Sequence, residues 1–403
     1  MWMFDERFLI AKEVIDNIEE NGFQAYFVGG CVRDLLLGNP IKDIDIATSA
    51  LPKSIMSIFE KVIPVGIEHG TVIVRHKKNS YEVTTFRLDG MYSDHRHPDQ
   101  VEFIDHIDLD LKRRDFTINA LAMNKDGKII DLFNGKSDLN NKLIRTVGKG
   151  EERFKEDPLR IVRALRFSSQ LGFTIEKETL KAMKKVKPEI KKLAIERITT
   201  EMTKLVAGES INKGIIYLID TEVYKHLPIM LEYPNILKAL PNKLRPMYSF
   251  GEFIALFHYI EPTITISEWC KQWKCSNKTK NKAINLTEAL NYYETKGLDQ
   301  WLVYHLQPDL YSSFLNLTTM LFDDDSPIEL DSFEQIRRDL PIKSKRDLAM
   351  NGNDLVQMFP DKKKGPWIKQ MLNQMEKEVV MNNIENKYEQ LKEWIRWNPP
   401  GTN

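Results

Sequence analysis

The stretch FVGGCVRDLLLGNPIKDIDIAT, residues 27–48, decides the fold at the N-terminal end of this 403-residue chain. Two glycines end a short apolar run, and the residues that follow, CVRDLLLG, have the amphipathic spacing of a helix that stops at Gly38. DIDIAT then alternates polar and apolar residues, which is typical of a strand with one buried face. This order of strand, helix and strand predicts a mixed α+β region.

Asp43 and Asp45 are the residues of this stretch that carry chemistry. Because side chains alternate along a strand, both carboxylates are predicted to project from one face while Ile44 and Ile46 are buried on the other. Two carboxylates this close are unfavourable unless a cation neutralises them or one is protonated. Mg²⁺ prefers oxygen ligands and keeps exchangeable positions, so the pair is predicted to be catalytic and to hold magnesium.

A phosphate site is predicted beside this pair. Glycines at a strand–helix junction let backbone N–H groups approach an anion, and the helix N-terminus adds partial positive charge. Gly30 lies at that junction, and Arg33 falls in the first helical turn, on the same side. A phosphate cradle next to a carboxylate pair indicates phosphoryl or nucleotidyl transfer.

Further segments of the chain belong with this one. In order they are GGCVRD with DIDIAT, RRDFTINALAMN (113–124), DLFNGKSDL (131–139), EDPLRIVRALRF (156–167) and ERITTEMTKL (196–205). In these segments the chain resembles the class II tRNA nucleotidyltransferases, the group of CCA-adding enzymes and bacterial poly(A) polymerases. GNDLVQMFPDKKKGPWIKQML, residues 352–372, is similar to the tail of Bacillus-type CCA-adding enzymes.

Short β-type runs mix with helices up to residue 149, and helical periodicity dominates from about residue 150 onward. The predicted strands are AYFVGG, DIDIAT, GTVIVRH and SYEVTTFRL, and the polar segment at 89–99 is predicted to be a loop. Together with the resemblance, this pattern predicts an α+β fold. Its parts are a nucleotidyltransferase head with a mixed β-sheet flanked by helices (1–149), an all-α neck (150–212), a helical body (213–300) and a helical, tRNA-binding tail (301–403).

The segment RRDFTINAL is interpreted as Arg113, Arg114 and Asp115 ahead of an amphipathic helix. The resemblance assigns Arg114 to the triphosphate of the incoming nucleotide. A guanidinium suits that role because its planar fork binds phosphate oxygens in pairs and keeps its charge. The alternative for Arg114 is a surface ion pair with Asp115.

The segment EDPLRIVRALRF predicts a helix with Asp157 as N-cap and Pro158 in the first turn. Capping does not account for the arginines between its apolar positions, and Asp157 and Arg160, three residues apart, are predicted neighbours on one helix face. The resemblance gives Asp157 and Arg160 the role of a protein template for the incoming base. Arg163 and Arg166 would support placement of the nucleotide.

Glu82, in SYEVTTFR, lies on a predicted strand. It is either a third carboxylate near the metal or a cross-strand partner at the surface. The sequence leaves both interpretations open.

The function that this resemblance implies is template-independent addition of C, C and A to the 3′ end of tRNA, using CTP and ATP and releasing pyrophosphate. The alternatives are a bacterial poly(A) polymerase, a member restricted to A-addition or CC-addition, and a non-catalytic RNA-binding scaffold. Poly(A) polymerases of the group typically carry a basic GRRFRL-like segment where this chain has VGIEHGTVIV, residues 65–74. That difference favours CCA addition.

Composition adds the remaining expectations. Lys plus Arg and Asp plus Glu both number 58, but the lysine runs at 181–192, 271–282 and 361–369 favour a polyanionic partner. The three cysteines form neither a disulfide framework nor a metal motif, and neither a signal peptide nor an apolar run of ~18 residues is present. We therefore expect a cytoplasmic enzyme that binds tRNA and no membrane, of undetermined oligomeric state.

Overall fold

The computed structural model describes residues 6–89, 101–322 and 328–400. The chain forms two compact units, Met1–Lys238 and Ala239–Asn403. The loop predicted at 89–99 lies, apart from its first residue, outside the described residues.

The helices of the first unit are α1 Glu6–Glu20, α2 Gly30–Leu37, α3 Pro52–Ile58, α4 Ile107–Lys112, α5 Gly135–Asn140, α6 Gly150–Glu156, α7 Leu159–Leu171, α8 Lys177–Val186, α9 Ile195–Val206 and α10 Ile211–Asp220. Those of the second are α11 Phe250–Ile260, α12 Ile266–Gln272, α13 Asn277–Lys296, α14 Gln300–His305, α15 Tyr311–Leu321, α16 Leu330–Asp339, α17 Gly352–Met358, α18 Pro366–Val380 and α19 Tyr388–Trp397. Among the described residues, none of these helices has the length and apolar character needed to span a bilayer.

The strands are β1 Ala25–Val28, β2 Asp45–Thr48, β3 Val62–Gly66, β4 Thr71–His76, β5 Asn79–Thr85, β6 Arg87–Asp89, β7 Val101–Phe103, β8 Leu121–Met123, β9 Ile129–Asp131, β10 Leu143–Ile144 and β11 Thr174–Ile175. The predicted strands correspond to β1, β2, β4 and β5, with the last run continuing after a break into β6. The predicted run of helices after residue 150 is also present, interrupted by the short β11, which pairs with β10.

A seven-stranded sheet in the order β3-β4-β5-β2-β1-β8-β9 forms the centre of the first unit. Strands β2 and β5 are parallel, and the other neighbours are antiparallel. Alternation of apolar residues explains the burial of one face: Val72, Val74 and Val83 point into a core on the side of α1 and α3. The predicted α+β head with a mixed sheet is therefore confirmed.

The segment RRDFTINAL does not form the predicted helix. Residues Thr117–Asn119 make a single 3₁₀ turn, and the chain then enters strand β8, where Ala122 pairs with Val28 and Met123 with Phe27 of β1. Of the apolar residues that suggested a helical stripe, Leu121 and Ala122 are buried in the sheet, where β8 pairs with β1, whereas Phe116 and Ile118 are buried just before it.

Helix α5 fixes the position of this 3₁₀ turn. Asp131 accepts hydrogen bonds from the backbone N–H groups of Gly135 (2.7 Å) and Lys136 (2.9 Å) at the start of α5. A Cβ at Gly135 would lie 2.3 Å from the carbonyl oxygen of Thr117, so only glycine allows the two segments to approach this closely.

We expect the substitution Gly135→Ala to lower the free energy of unfolding by roughly 1–3 kcal/mol, because the added methyl group forces the 3₁₀ turn away from α5. Urea denaturation would measure the change. Gly365→Ala is the matched control, since its backbone is extended and its nearest neighbour would lie 3.6 Å from the new Cβ. Equal stabilities for the two variants would contradict the close-packing argument.

The second unit is helical and has its own core. One cluster joins α14, α17, α18 and α19 through buried residues that include Leu355, Met375, Val379 and Leu391. Another centres on aromatic rings of α11 and α12, where Phe253 packs edge-on against Trp269 at 5.9 Å.

Candidate active site

The two predicted catalytic aspartates lie at the start of β2, one inside the strand and one before it. Asp45 is the first residue of β2, whereas Asp43 lies before that strand, so the prediction that both belong to one strand is wrong by two residues. The predicted alternation of burial still holds, because Ile44 and Ile46 are buried while Asp43 is exposed and Asp45 half-buried. The strand begins late because β5, its partner, pairs only from Asp45 onward.

Asp45 lies in an environment that disfavours its negative charge. Burial raises the pKa of Asp45 to about 6, with the carboxylates of Glu82 and Asp43 adding to the rise and the guanidinium of Arg114 opposing it. Glu82 stands directly beside Asp45 in the register of the parallel strands β5 and β2, so the two side chains share a face of the sheet. The carboxylate of Asp45 therefore has two acidic neighbours, Glu82 beside it on the sheet and Asp43 just before the strand.

This donor set fits a divalent cation. Mg²⁺ is commonly bound through one or two carboxylates together with substrate phosphates and water, so Asp43 and Asp45 suffice as protein ligands. The raised pKa of Asp45 reflects first the burial of its charge and then the nearby carboxylates, and a bound cation would offset both effects. Within residues 6–89, 101–322 and 328–400, the aspartate pair is not part of any preformed cluster of three or more His, Cys, Asp or Glu ligands.

The junction of β1 and α2 has the predicted glycines, but the steric demand falls on Gly29. Gly29 has a positive φ of 72°, and a Cβ there would lie 2.9 Å from Nη1 of Arg114. A Cβ at Gly30 would make only an ordinary contact, 3.7 Å from Arg33. Gly29, which the site prediction omitted, is thus the residue that lets an arginine approach the turn.

Arg33 and Arg114, the two predicted triphosphate ligands, are joined by Asn119. Arg33 donates to the side-chain oxygen of Asn119 at 2.7 Å, and Arg114 donates to its backbone carbonyl at 3.5 Å. Arg33 is also held by a two-pronged contact with Asp34, both distances being 2.9 Å. The two guanidiniums therefore lie on the same side of the β1–α2 junction.

Arg114 does not form the alternative ion pair with Asp115. Its partner is Asp110, one turn earlier in α4, at 3.1 Å, and Asp110 also binds Arg113 at 2.6 Å. Burial acts against the charge of Asp110, but the two arginines outweigh it and lower the pKa of this carboxyl. The i,i+3 and i,i+4 spacing from Asp110 was the sequence signal for this contact.

Asp157 lies one residue before the N-cap position of α7, which Pro158 occupies, rather than at that position as predicted, and both of its carboxylate oxygens have partners. One carboxylate oxygen accepts from the backbone N–H of Leu159 at 3.1 Å, and the other accepts from Arg197 of α9 at 2.9 Å. Asp157 itself lies just before the helix, between α6 and α7. The segment ERITTEMTKL, which matched the family without a role, supplies Arg197 here.

Arg160 is not paired with Asp157 as a side-chain neighbour. Its guanidinium donates to Glu156 at 2.7 Å and to the backbone carbonyls of Arg153 and Arg113 at 3.1 and 2.9 Å. The prediction from spacing fails because Asp157 lies before the first turn of α7, where helical geometry does not apply. These contacts fix a buried guanidinium between α6 and the chain that follows α4.

Arg163 binds Asp115, which joins α7 to the segment after α4. Two nitrogens of Arg163 lie 2.7 and 2.6 Å from one oxygen of Asp115, and Asn119 donates to the other oxygen at 3.1 Å. Burial opposes the charge of Asp115, but Arg163, Asn119 and Arg160 outweigh it and lower its pKa to about 2. Asp115 is therefore the buried counter-ion of this site.

Arg166 and Arg163 face a second acidic residue, Glu201 of α9. The closest atoms of Arg166 and Glu201 are 3.2 Å apart, as an ion pair that is not aligned for a hydrogen bond. Burial and the neighbouring Arg163 lower the pKa of Arg166 to about 10. Three guanidiniums lie around the ring of Phe167. The distance to the ring centroid is 4.0 Å from Arg166, 5.2 Å from Arg33 and 5.5 Å from Arg163.

The structure thus brings four of the nine predicted site residues into one connected network. Arg33, Arg114, Arg163 and Arg166 are linked through residues that the site prediction omitted, namely Asn119, Asp115, Phe167 and Glu201. All of these lay within the quoted sequence segments, but no local spacing indicated their contacts.

The lysine runs are in part surface ion pairs. In the first run, four lysines have acidic partners at 2.6–2.8 Å: Lys181 with Glu178, Lys185 with Glu151, Lys187 with Glu222 and Lys192 with Glu189. Such pairs contribute little to stability and are screened by salt. Their presence reduces the net positive charge of that run.

Three family models match the chain. The model described as "Poly A polymerase head domain" matches residues 25–145, "Probable RNA and SrmB- binding site of polymerase A" matches 172–233, and "tRNA nucleotidyltransferase domain 2 putative" matches 252–395. The first covers β1 to β10 and the aspartate pair, and the second covers α8 to α10.

Individual relatives match over the full length. The chain is 50% identical over 402 residues to a CCA-adding enzyme of Oceanobacillus iheyensis, covering 100% of both chains. It is 41% identical to a CCA-adding enzyme of Staphylococcus haemolyticus, covering 98% of this chain and 99% of the relative. A crystal structure of Bacillus stearothermophilus CCA-adding enzyme in complex with CTP superposes with a TM-score of 0.88 at 35% identity, each chain being 98% covered. Identity at this level over the whole chain places the protein in the family of bacterial class II CCA-adding enzymes, the tRNA nucleotidyltransferases.

Proposed function

We propose that this protein adds C, C and A to the 3′ end of tRNA without a nucleic-acid template, using CTP and ATP. The observation that carries the proposal is full-length identity of 50% to a CCA-adding enzyme in a chain that presents a carboxylate pair beside clustered arginines. In each cycle the 3′-hydroxyl of tRNA attacks the α-phosphate of the nucleotide, a P–O bond forms to the primer, and pyrophosphate leaves.

Arg33 and Arg114 are proposed to hold the triphosphate, together with the backbone N–H of Gly30. Asn119 supports this assignment because it orients both guanidiniums toward the same junction. Their existing partners, Asp34 and Asp110, hold each guanidinium in place before the nucleotide arrives.

Enzymes of this family use a divalent metal, and we propose that Mg²⁺ fills the role here, held by Asp43 and Asp45. When bound, it would supply charge that lowers the pKa of the attacking hydroxyl and stabilises the leaving oxygens. Glu82 lies beside Asp45 in the sheet, which supports a role for its carboxylate near the metal. Asp43 and Asp45 alone already match the number of protein ligands that Mg²⁺ needs.

Asp157 and Arg160 are proposed to read the base. A carboxylate only accepts hydrogen bonds and a guanidinium only donates them. Cytosine and adenine both offer an amino donor beside a ring acceptor, whereas uracil and guanine present acceptors where those donors lie, so one pair selects CTP and ATP. The contacts of Asp157 with Leu159 and Arg197 leave lone pairs on both oxygens.

Arg163 and Arg166 are proposed to support the nucleotide from the next turns of α7. Ion pairs with Asp115 and Glu201 hold these two side chains in one conformation. Because the side chains are already ordered, they lose little conformational entropy when the nucleotide binds.

We expect Asp157→Asn to lower the preference for CTP over UTP roughly 10²-fold, because the amide adds a donor that uracil O4 accepts. The measurement is kcat/KM for both nucleotides on tRNA that ends before CCA. Arg197→Met is the matched control: it removes the other partner of Asp157 but leaves the acceptor, so selectivity should persist. An unchanged CTP to UTP ratio in Asp157→Asn would contradict base reading by this residue.

Incubation with tRNA that ends before CCA tests the function. CTP alone should extend the tRNA by two residues, and CTP with ATP should complete CCA and stop. Long untemplated A tails would identify a poly(A) polymerase instead. Arrest after the two cytidines would identify a CC-adding member, and extension only of tRNA already ending in CC an A-adding member.

The division into head (1–149), neck (150–212), body (213–300) and tail (301–403) is proposed on the same basis, with tRNA held by the helical parts. Recognition of tRNA there would depend on phosphate charge and shape rather than on base sequence. The substrates tRNA, CTP and ATP make the cytoplasm the proposed site of action, and the three free thiols agree with a reducing compartment.

A further inference from the structure

A row of side chains crosses the central sheet outward from the catalytic aspartate. Asp45 of β2 is in register with Glu82 of β5, Glu82 with Ile73 of β4, and Ile73 with Ile63 of β3. Residues paired in this way project from the same face of a sheet. The face that carries Asp45 therefore continues across three more strands to the edge of the sheet.

This half of the face is open. The opposite face of the same strands is filled by the core, whereas Glu82 and Ile63 are exposed and Ile73 and Thr84 are half-buried. Ile63 is 41% exposed, and Val65, at the bulge of β3, is 59% exposed. In the part of the chain that the structure describes, these apolar side chains beside the carboxylates stay accessible to solvent, which indicates a binding surface rather than a core.

The groups that bind the nucleotide lie on the other side of Asp45. In the sheet order, β1 and β8 flank β2 on one side, while β5, β4 and β3 extend from the other. Arg33 belongs to the helix after β1, and Arg114 precedes β8. Attacking and leaving oxygens lie roughly in line at the phosphorus, so a triphosphate on the β1–β8 side requires the attacking hydroxyl to arrive over β5.

We propose that the open face of β3, β4 and β5 holds the 3′-terminal nucleotide of the RNA primer. This inference rests on the proposed function and adds the location of the second substrate. We define the primer platform as Ile63, Ile73, Arg75, Glu82 and Thr84, which share this face. Its occupant is the unpaired 3′ end of RNA, because the platform is continuous with the carboxylates that the 3′-hydroxyl must reach.

The side chains of the platform suit an RNA primer whose 3′-terminal base changes during the reaction. The terminal base differs before the first, second and third additions, so the contact must tolerate every base. Apolar contact with a base face is sequence-tolerant, unlike hydrogen bonding to its edge. Arg75 is exposed and supplies one positive charge for a phosphate, while Glu82, the acidic member, lies at the end nearest Asp45.

The test is the double variant Ile63→Ser, Ile73→Ser, assayed with a hairpin RNA whose acceptor stem ends before CCA. We expect KM for this primer to rise roughly tenfold, because the apolar contact with the terminal base is lost, while the Kd for CTP stays unchanged. The matched control is Ile216→Ser, which removes an isoleucine that is 61% exposed on α10, away from the sheet. Thermal unfolding of all three proteins tests whether the variants are folded.

The outcomes separate this inference from the proposed function. If wild type extends no primer, the proposed function fails regardless of the platform. If wild type is active and the double variant keeps the wild-type primer KM, or the Ile216→Ser control raises it equally, the platform is overturned. A drop in molecular mass of the double variant by light scattering, with primer KM unchanged, would instead make this face an interface between copies of the chain and would also overturn it.

Discussion

Replacing Asp45 with asparagine is expected to reduce kcat/KM for CMP incorporation at least roughly 10³-fold, the largest effect that we predict. Asparagine keeps the shape of the side chain but removes one of the two charges that the aspartate pair offers to a divalent cation. Incorporation of labelled CMP into tRNA that ends before CCA, over a range of metal concentrations, would measure the loss.

The thermal stability of Asp45→Asn should not fall along with its activity. Burial, together with the carboxylates of Glu82 and Asp43, raises the pKa of Asp45 to about 6, so removing its charge relieves both the desolvation of that charge and a repulsion. We expect the melting temperature of Asp45→Asn to equal or exceed that of wild type, as for other residues kept for function at a cost in stability. Asp126→Asn, an exposed aspartate in the turn between β8 and β9, is the control and should change neither activity nor melting. Full activity in Asp45→Asn would refute the assignment.

The second large effect is expected from Asp115→Ala. Asp115 is 7% exposed and binds Arg163 at 2.6–2.7 Å, so the variant leaves a half-buried guanidinium without its closest counter-ion. Breaking a buried pair by removing one partner costs roughly 3–5 kcal/mol of unfolding free energy, and the partial exposure of Arg163 places this variant at the lower end of that range. Urea denaturation would measure this loss, and KM for CTP should rise because Arg163 is no longer fixed.

A double variant tests whether the unpaired charge of Arg163 causes the loss of stability in Asp115→Ala. Adding Arg163→Met to Asp115→Ala removes the uncompensated charge, so the double variant should be more stable than Asp115→Ala alone. If the two losses simply add, the ion pair is not the cause of the destabilisation.

The pH dependence of stability follows from the same residue. The pKa of Asp115 in the folded protein is about 2, below the ordinary value of 3.8, so its contribution is present above about pH 4. It is lost as the pH falls from there toward about 2. The stability difference between wild type and Asp115→Ala should therefore shrink over that window.

Much of the fold and site could be predicted from local patterns. Alternation in DIDIAT placed Asp43 and Asp45 on one side, and the glycines before CVRDLLLG marked the strand–helix junction, because both patterns depend only on residues close in sequence. The α+β head and the helical remainder followed from periodicity in the same way. RRDFTINAL failed because its apolar residues fit a helix as well as a buried strand, and only pairing with β1 decides between them.

The identity of the charged residues and their order along the chain could be read without any structure. The tertiary structure alone decided their partners: Arg197 for Asp157, Glu156 for Arg160 and Asp115 for Arg163. Helical spacing specifies neighbours within one helix, whereas these contacts depend on how α7 packs against α9 and against the chain after α4. The same holds for the open face of β3, β4 and β5, since register across a sheet is set by which strands pair.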